Sequence, residues 1–518
     1  WISYPIFPAE IYSDASWIFA ELESALFHTF GLLSPIFVAL IAFSFLYKWF
    51  ILDILRGLYN FFRDRQILGV RMALSKMPFV NENTADDNDS DLVVDRRESP
   101  LVVKQTHERT RSKPKMLHRA ILLGAIIIAP LLIIYPHLPT VNPGGGVSTD
   151  EQYYVSWLSE LRLNEQLGGL QVLADAFVIN EGDRPITLLL IMGIANLTGL
   201  PDIMVVRYLP VALAPALVVA SYMLVSRTLA PKQNGEMPRN FAAIAALITA
   251  FSPQIIVGEY AGLLANWLAL VVGYFVLYFM INCWDSSDKQ KIVFNSASLL
   301  AVLLLTMLIH LYTWSHLLVV TLVFCGLSYL FSRSKESSSK LKVLIMVVIL
   351  ATSLAVDYGR SLYLATPPLA GSELSKSIDL VRQPVLGWDQ LYFTLATYVG
   401  GFLSNPALFL LALVWLVAKA ELTKGLDRVL IALLFIIALP ILVGTVEFQS
   451  RVLHNTPIQI PAILALYSFS MQSKYRTTRV LLIVAVIAVT ATFALRGLAN
   501  LYLGLPEGFV LDKQFLLP

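Results

Sequence analysis

The sequence predicts an all-α polytopic membrane protein, a bundle of about twelve transmembrane helices with interfacial helices in its first long external loop. Composition is the first ground: 57% of the 518 residues are hydrophobic and 14% charged, against roughly 25% charged in a soluble domain. The mean hydropathy is +0.68. The second ground is run length, because a bilayer core takes about 20 consecutive apolar residues per helix, whereas a membrane β-barrel would show short alternating segments. The third is the placement of Lys and Arg, which stay on the cytoplasmic side.

In chain order the apolar runs are 30–52, 120–135, 205–225, 241–257, 263–281, 297–311, 317–331, 341–356, 391–417, 429–446, 458–471 and 480–495. The piece 186–200 is also apolar, but it holds Asn196 and Thr198 and breaks at Gly199 and Pro201, so it reads as interfacial or re-entrant. With that piece excluded, three basic loops fall on one side: Arg227, Lys232 and Arg239; Arg333, Lys335, Lys340 and Lys342; and Lys474, Arg476 and Arg479. Asp150, Glu151, Glu259, His310, His316, Arg382 and Arg451 then share the opposite, external face.

These runs divide the chain into an accessory N-terminal transmembrane helix (1–56), a charged cytoplasmic linker (57–118), a main transmembrane domain (119–497) and a short external tail (498–518). Within the linker an acidic stretch, Asp86, Asp87, Asp89 and Asp91, precedes a basic one, Lys104, Arg109, Arg111, Lys113 and Lys115. The basic half reads either as topogenic charge or as a contact for anionic headgroups. A net charge of +2 supplies no field for nucleic acid. Cys283 and Cys325 alone indicate neither a disulfide framework nor a thiolate metal site. The chain begins at Trp1, so no targeting conclusion follows from its first residues.

After the run 120–135 come Pro136, Pro139, Pro143 and Gly144-Gly145-Gly146, then the adjacent acids Asp150 and Glu151 where the chain re-emerges into water. Two short helices follow, 151–166 and 170–179, the first with an amphipathic stripe of Tyr153, Tyr154, Trp157, Leu158 and Leu161 suited to lying in the interface. Asp150 suits both an N-cap and a general base. Glu259 lies in a short hairpin, 252–260, as a functional near-membrane carboxylate or an exposed loop acid. His310 and His316 flank the next external turn; their spacing of six does not put both on one helical face, which favours polar turn residues over a metal pair. Arg451 and Arg184 each fit a phosphate clamp or an interface arginine held by snorkelling or a salt bridge.

Thr149-Asp150-Glu151-Gln152-Tyr153-Tyr154, the interfacial helices, Asp183-Arg184-Pro185, and the stretch Val206-Arg207-Tyr208-Leu209-Pro210 through Arg227 together resemble the integral-membrane glycosyltransferases of superfamily C (GT-C). Within it the pattern is similar to the protein mannosyltransferase and aminoarabinose transferase type, over roughly residues 119–495. Where that type has Lys or His before a double proline, this chain has Arg184 and the single Pro185. The resemblance implies a polyprenyl-phosphate sugar donor of the dolichyl-phosphate type in the bilayer and a glycan, lipid or protein acceptor reaching it from outside. It implies a plasma-membrane enzyme whose site faces outward, equivalent to the endoplasmic reticulum lumen. By this likeness Asp150 is the base and Glu151 its support, Arg451 and Arg184 hold the donor phosphate, and Glu259, Tyr153, His310 and His316 supply supporting or acceptor contacts. For a cofactor the resemblance leaves two alternatives open: none, as often in relatives of this type, or Mg²⁺ or Mn²⁺ held by Asp150 and Glu259, whose oxygens suit either ion. The alternatives are a non-catalytic membrane scaffold retaining the fold, or a secondary transporter, which would show matched halves and mid-helix charges.

Overall fold

The computed structural model describes residues 117–138, 150–163, 169–229, 236–331, 337–363, 405–422, 424–438, 446–472 and 475–502. The expected accessory helix 30–52 and nearly all of the linker 57–118 lie outside them, as does Arg382. Among the described residues there are α-helices and two 3-10 turns but no strand. The protein is therefore an all-α polytopic membrane protein, as expected from its composition.

Eight described helical segments are long and apolar enough to cross a membrane. They belong to α1 (Leu117–Ile134, continued by the 3-10 turn Tyr135–His137), α5 (Asp202–Leu229), α6 (Glu236–Ala250) running on into α7 (Pro253–Ala261), α8 (Leu264–Asp285), α9 (Lys289–Ile309), α10 (Leu311–Phe331), α11 (Ser337–Tyr363) and α16 (Arg476–Tyr502). Each coincides with an expected run. The runs 391–417 and 429–446 are described only in part, as α12 (Pro406–Ala418) and α13 (Gly425–Ala438), while 458–471 is α15 (Gln459–Gln472). At 1.5 Å per residue, these helices of 13 or 14 residues reach about 20 Å, short of a bilayer core of roughly 30 Å. α16 continues to Tyr502, so the expected tail boundary at 498 falls inside a helix.

The first external segment folds as α2 (Glu151–Leu163), α3 (Gly169–Ala176), the 3-10 turn Ile179–Gly182, and α4 (Pro185–Thr198). α4 opens on Pro185, whose lost N–H costs nothing there. It closes on Gly199 at φ 71°, whose N–H donates to the Ala195 carbonyl. Its 14 residues match the non-spanning reading of 186–200.

The expected hairpin 252–260 is instead helical. α7 starts with Pro253 after the extended Ser252 and ends at Gly262, φ 65°. The proline and glycine that read as turn residues are its boundaries, not its interior. Gly258 permits close packing there, since a Cβ would stand 2.8 Å from the buried Trp267 ring. Gly258→Ala should cost about 1–3 kcal/mol by overpacking, read as a lowered unfolding midpoint in detergent.

α6 is the most enclosed of the long helices, whereas α1, α11 and α16 turn most of their surface outward. α5 packs on α1, α6 and α8, and α8 in turn on α9 and α10. Basic side chains gather near the C-terminal end of α8: Arg227 donates to Asn282 Oδ1 at 2.8 Å, Lys342 to the Trp284 carbonyl at 2.6 Å, and Arg428 stacks 5.0 Å over Trp284. The acids and histidines considered above lie towards the other end of these helices, so the charge asymmetry seen in the sequence is built into the bundle.

Candidate active site

Asp150 immediately precedes α2, and its backbone carbonyl accepts from the N–H groups of Tyr153 and Tyr154 at 3.1 and 3.3 Å. Its carboxylate caps no helix: among the described residues it has no hydrogen-bond partner. Burial raises the Asp150 pKa above its ordinary 3.8, and the charges of Arg184 and Arg451 oppose that rise. Three residues far apart in sequence thus act on one another across a partly buried space.

Arg184 reaches this space from the start of α4. Its Nε and Nη2 donate to Asp183 Oδ2 at 2.9 and 2.7 Å, and its Nη1 to the Tyr154 hydroxyl at 3.2 Å. Its plane lies 4.8 Å from the Trp157 ring centroid. Arg184 is thus salt-bridged to Asp183, and its charge bears on Asp150. Thr187, a turn further on, fixes α4 to the end of α9 by donating to the Ile309 carbonyl at 3.2 Å.

Asp183 precedes Arg184 in the sequence, which alone points to no role for it. It is buried, with Oδ1 lacking a partner. Burial works to raise its pKa, but Arg184, His310 and Arg451 outweigh this and hold it at about 2. It is therefore an ionised carboxylate counterbalancing the two arginines.

His310 is not a surface turn residue. It forms the extended break between α9 and α10, φ −161°, and is buried. The Thr313 N–H donates to its Nδ1 at 3.3 Å, and the Thr313 hydroxyl lies 2.9 Å from the same atom. An accepting Nδ1 leaves the proton of the neutral ring on Nε2. Burial and the charges of Arg184 and Arg451, resisted by Asp183, hold its pKa at about 3, so the ring is neutral at physiological pH.

Arg451 lies on α14 (Val446–Asn455), its guanidinium carbon 5.4 Å from the Tyr312 ring centroid. His316 lies one and a half turns beyond His310 inside α10, buried, and lines a separate cavity. The two histidines do not meet as a pair.

Tyr153 is exposed and stacks on Trp157 at 6.1 Å. The inward tyrosine is Tyr154, because α2 buries Glu151, Tyr154, Leu158 and Leu161 at helical spacing. The Tyr154 hydroxyl also accepts from the Ala265 N–H at 3.0 Å, tying α2 to α8. The apolar stripe was legible in the sequence, but it did not separate two adjacent tyrosines.

Glu151 points inward too, but to a different partner. It accepts from Arg207 Nε on α5 at 2.6 Å. Near this pair Glu259 is bound to His137 Nε2 at 2.9 Å, and Glu151 is close enough to act on it electrostatically. His137 also packs on Tyr208, centroids 5.3 Å apart. This second buried cluster joins α1, α2, α5 and α7, and it anchors the start of α2 beside Asp150. Arg207→Met should destabilise the fold by about 2 kcal/mol, below the full cost of breaking a buried pair because Arg207 is partly exposed. Thermal unfolding checks this, and adding Glu151→Gln should restore part of the loss.

The donor set envisaged for a divalent cation does not fit this arrangement. Asp150 faces two arginines and Glu259 is taken by His137. Among the described residues no three His, Cys, Asp or Glu side chains gather as metal ligands.

No family model and no curated protein sequence matches the chain. Among solved structures it is similar to the apo Archaeoglobus fulgidus oligosaccharyltransferase, TM-score 0.51 and 13% identity, over 76% of this chain and 57% of that one. The chain thus spans little more than half the length of that protein. ArnT from Cupriavidus metallidurans, solved with undecaprenyl phosphate, overlaps at TM-score 0.44 and 14% identity, over 74% of this chain and 77% of ArnT. The chain shares its fold with that archaeal oligosaccharyltransferase.

Proposed function

We propose that this chain is a membrane glycosyltransferase that moves a sugar from a polyprenyl-phosphate donor, of the dolichyl-phosphate type, to an acceptor hydroxyl at the external membrane face. One observation carries the reading: a partly buried carboxylate, Asp150, free of protein hydrogen bonds among the described residues, lies within electrostatic reach of both Arg184 and Arg451. Sugar transfer asks for that combination, a base for the acceptor and positive charge for the departing phosphate.

In the proposed step the acceptor oxygen attacks the anomeric carbon and gives its proton to Asp150. The bond from that carbon to the phosphate oxygen breaks, and its electron pair leaves with polyprenyl phosphate. A single displacement inverts the anomeric centre. Arg451 binds the phosphate through its donor fork, while Arg184, locked to Asp183 and Tyr154, supplies fixed positive charge nearby. His310 adds a neutral Nε2–H donor at the same end. Glu151, Glu259 and His137 position the start of α2. No step is routed through a cation.

The external assignment rests on the basic loops at the opposite end of the bundle, and a plasma-membrane location is part of the same proposal. The sugar and acceptor class follow from pocket shape. The test is a transfer assay on the purified full chain with a panel of polyprenyl-phosphate sugars and hydroxyl acceptors. Acceptor labelling by at least one donor is expected. Labelling by none, from protein that still binds polyprenyl phosphate, would favour the non-catalytic scaffold.

A further inference from the structure

A second polar region joins α7, α8 and α15. Tyr274 on α8 donates to Gln254 Oε1 at 2.9 Å, and Gln459 on α15 donates to the same oxygen at 2.9 Å. Gln254 Nε2 donates to the His454 carbonyl at 3.0 Å, which fastens the end of α14 to α7. Beside this network is a cavity of about 10 Å³, lined by Tyr274 and Gly273 of α8, Thr313 and His316 of α10, Leu433 of α13, and Asn455.

Two lining side chains lack hydrogen-bond partners among the described residues. Both ring nitrogens of His316 and both amide heteroatoms of Asn455 are buried and unbonded, with the residues 6% exposed each. The other polar groups on the wall are committed: Tyr274 to Gln254 and Gln459, Thr313 to Asn266 and His310. A buried donor or acceptor left unmade costs about 1–3 kcal/mol. A cavity of this size holds about one water, and a water needs two to four polar partners. The two residues offer donors and acceptors but no net charge, which matches water and disfavours an ion.

We propose that the cavity is a hydration site in which a bound water bridges His316 to Asn455. The bridge joins α10 to the α14–α15 junction. Asn455 lies one helical turn from Arg451, on the same face of α14, so the water fixes the register of the helix that carries that arginine. The hydration site stands whether or not the proposed transfer reaction does.

The test is a structure of the full chain in lipid nanodiscs at a resolution that shows buried waters, together with unfolding midpoints of variants. The expected result is one density peak within hydrogen-bonding distance of both side chains. His316→Leu and Asn455→Leu should each lower the midpoint by several degrees, with the double variant losing less than the sum. His316→Gln, which keeps a donor and an acceptor, should lose less than His316→Leu. If the cavity is dry, the orphaned polar groups are a liability and the leucine variants should raise the midpoint. That rise would overturn the proposal, as would a map with other buried waters and no peak here, or His316 and Asn455 bonding each other directly.

Discussion

Asp150→Asn should lower sugar transfer by about 10²- to 10⁴-fold, the usual loss when a general base is removed, and leave the unfolding midpoint nearly unchanged. The structure explains why the effects separate. α2 begins on the Asp150 backbone carbonyl, which asparagine retains, and the carboxylate bonds to no described residue. The electrostatics add a pH signature. Burial raises the Asp150 pKa above 3.8 against the pull of Arg184 and Arg451, and the base acts only when ionised. Parental activity should therefore fall as pH drops through that raised value, and the residual activity of the asparagine variant should lack this acid limb. A parental rate from the variant would leave Asp150 with no role beyond its backbone.

Arg451→Ala should act on the donor instead. A charge-assisted hydrogen bond to phosphate contributes about 1.5–3 kcal/mol, so the donor KM should rise about 10- to 100-fold. Excess donor should recover part of the rate. Arg451→Lys keeps the charge but loses the planar fork, and should fall between parent and alanine. Steady-state kinetics over donor concentration separate these outcomes, and an unchanged donor KM in the alanine variant would remove Arg451 from the phosphate site.

The residues of the proposed site stood out in the sequence because chemistry and position coincided. Asp150 stood beyond an apolar run, Arg184 before a proline, and Arg451 before another apolar segment. What the sequence did not reveal was pairing. Glu151 and Asp150 are neighbours in the chain, yet one binds Arg207 and the other feels the charges of two arginines, because Asp150 precedes α2 while Glu151 stands on its buried face. Successive helical positions point about 100° apart, which makes Tyr154, not Tyr153, the inward tyrosine. Glu259 read as a hairpin acid because Pro253 and Gly262 look like turn signals, whereas they bound the helix α7. Asp183 and His137 gave no local signal, since their partners lie across space. Span count had a similar limit: hydropathy marked runs at 391–417 and 429–446, but not the bounds of the described helices, Pro406–Ala418 for α12 and Gly425–Ala438 for α13, which overlap them only in part.

The most direct measurement of the central claim is the position of the lipid phosphate in a cryo-EM map of the full chain bound to polyprenyl phosphate in nanodiscs. The account predicts phosphate density in contact with the Arg451 guanidinium, with the Asp150 carboxylate facing the same space across room for one sugar. Phosphate density away from Arg451, or a closed wall between it and Asp150, would contradict it.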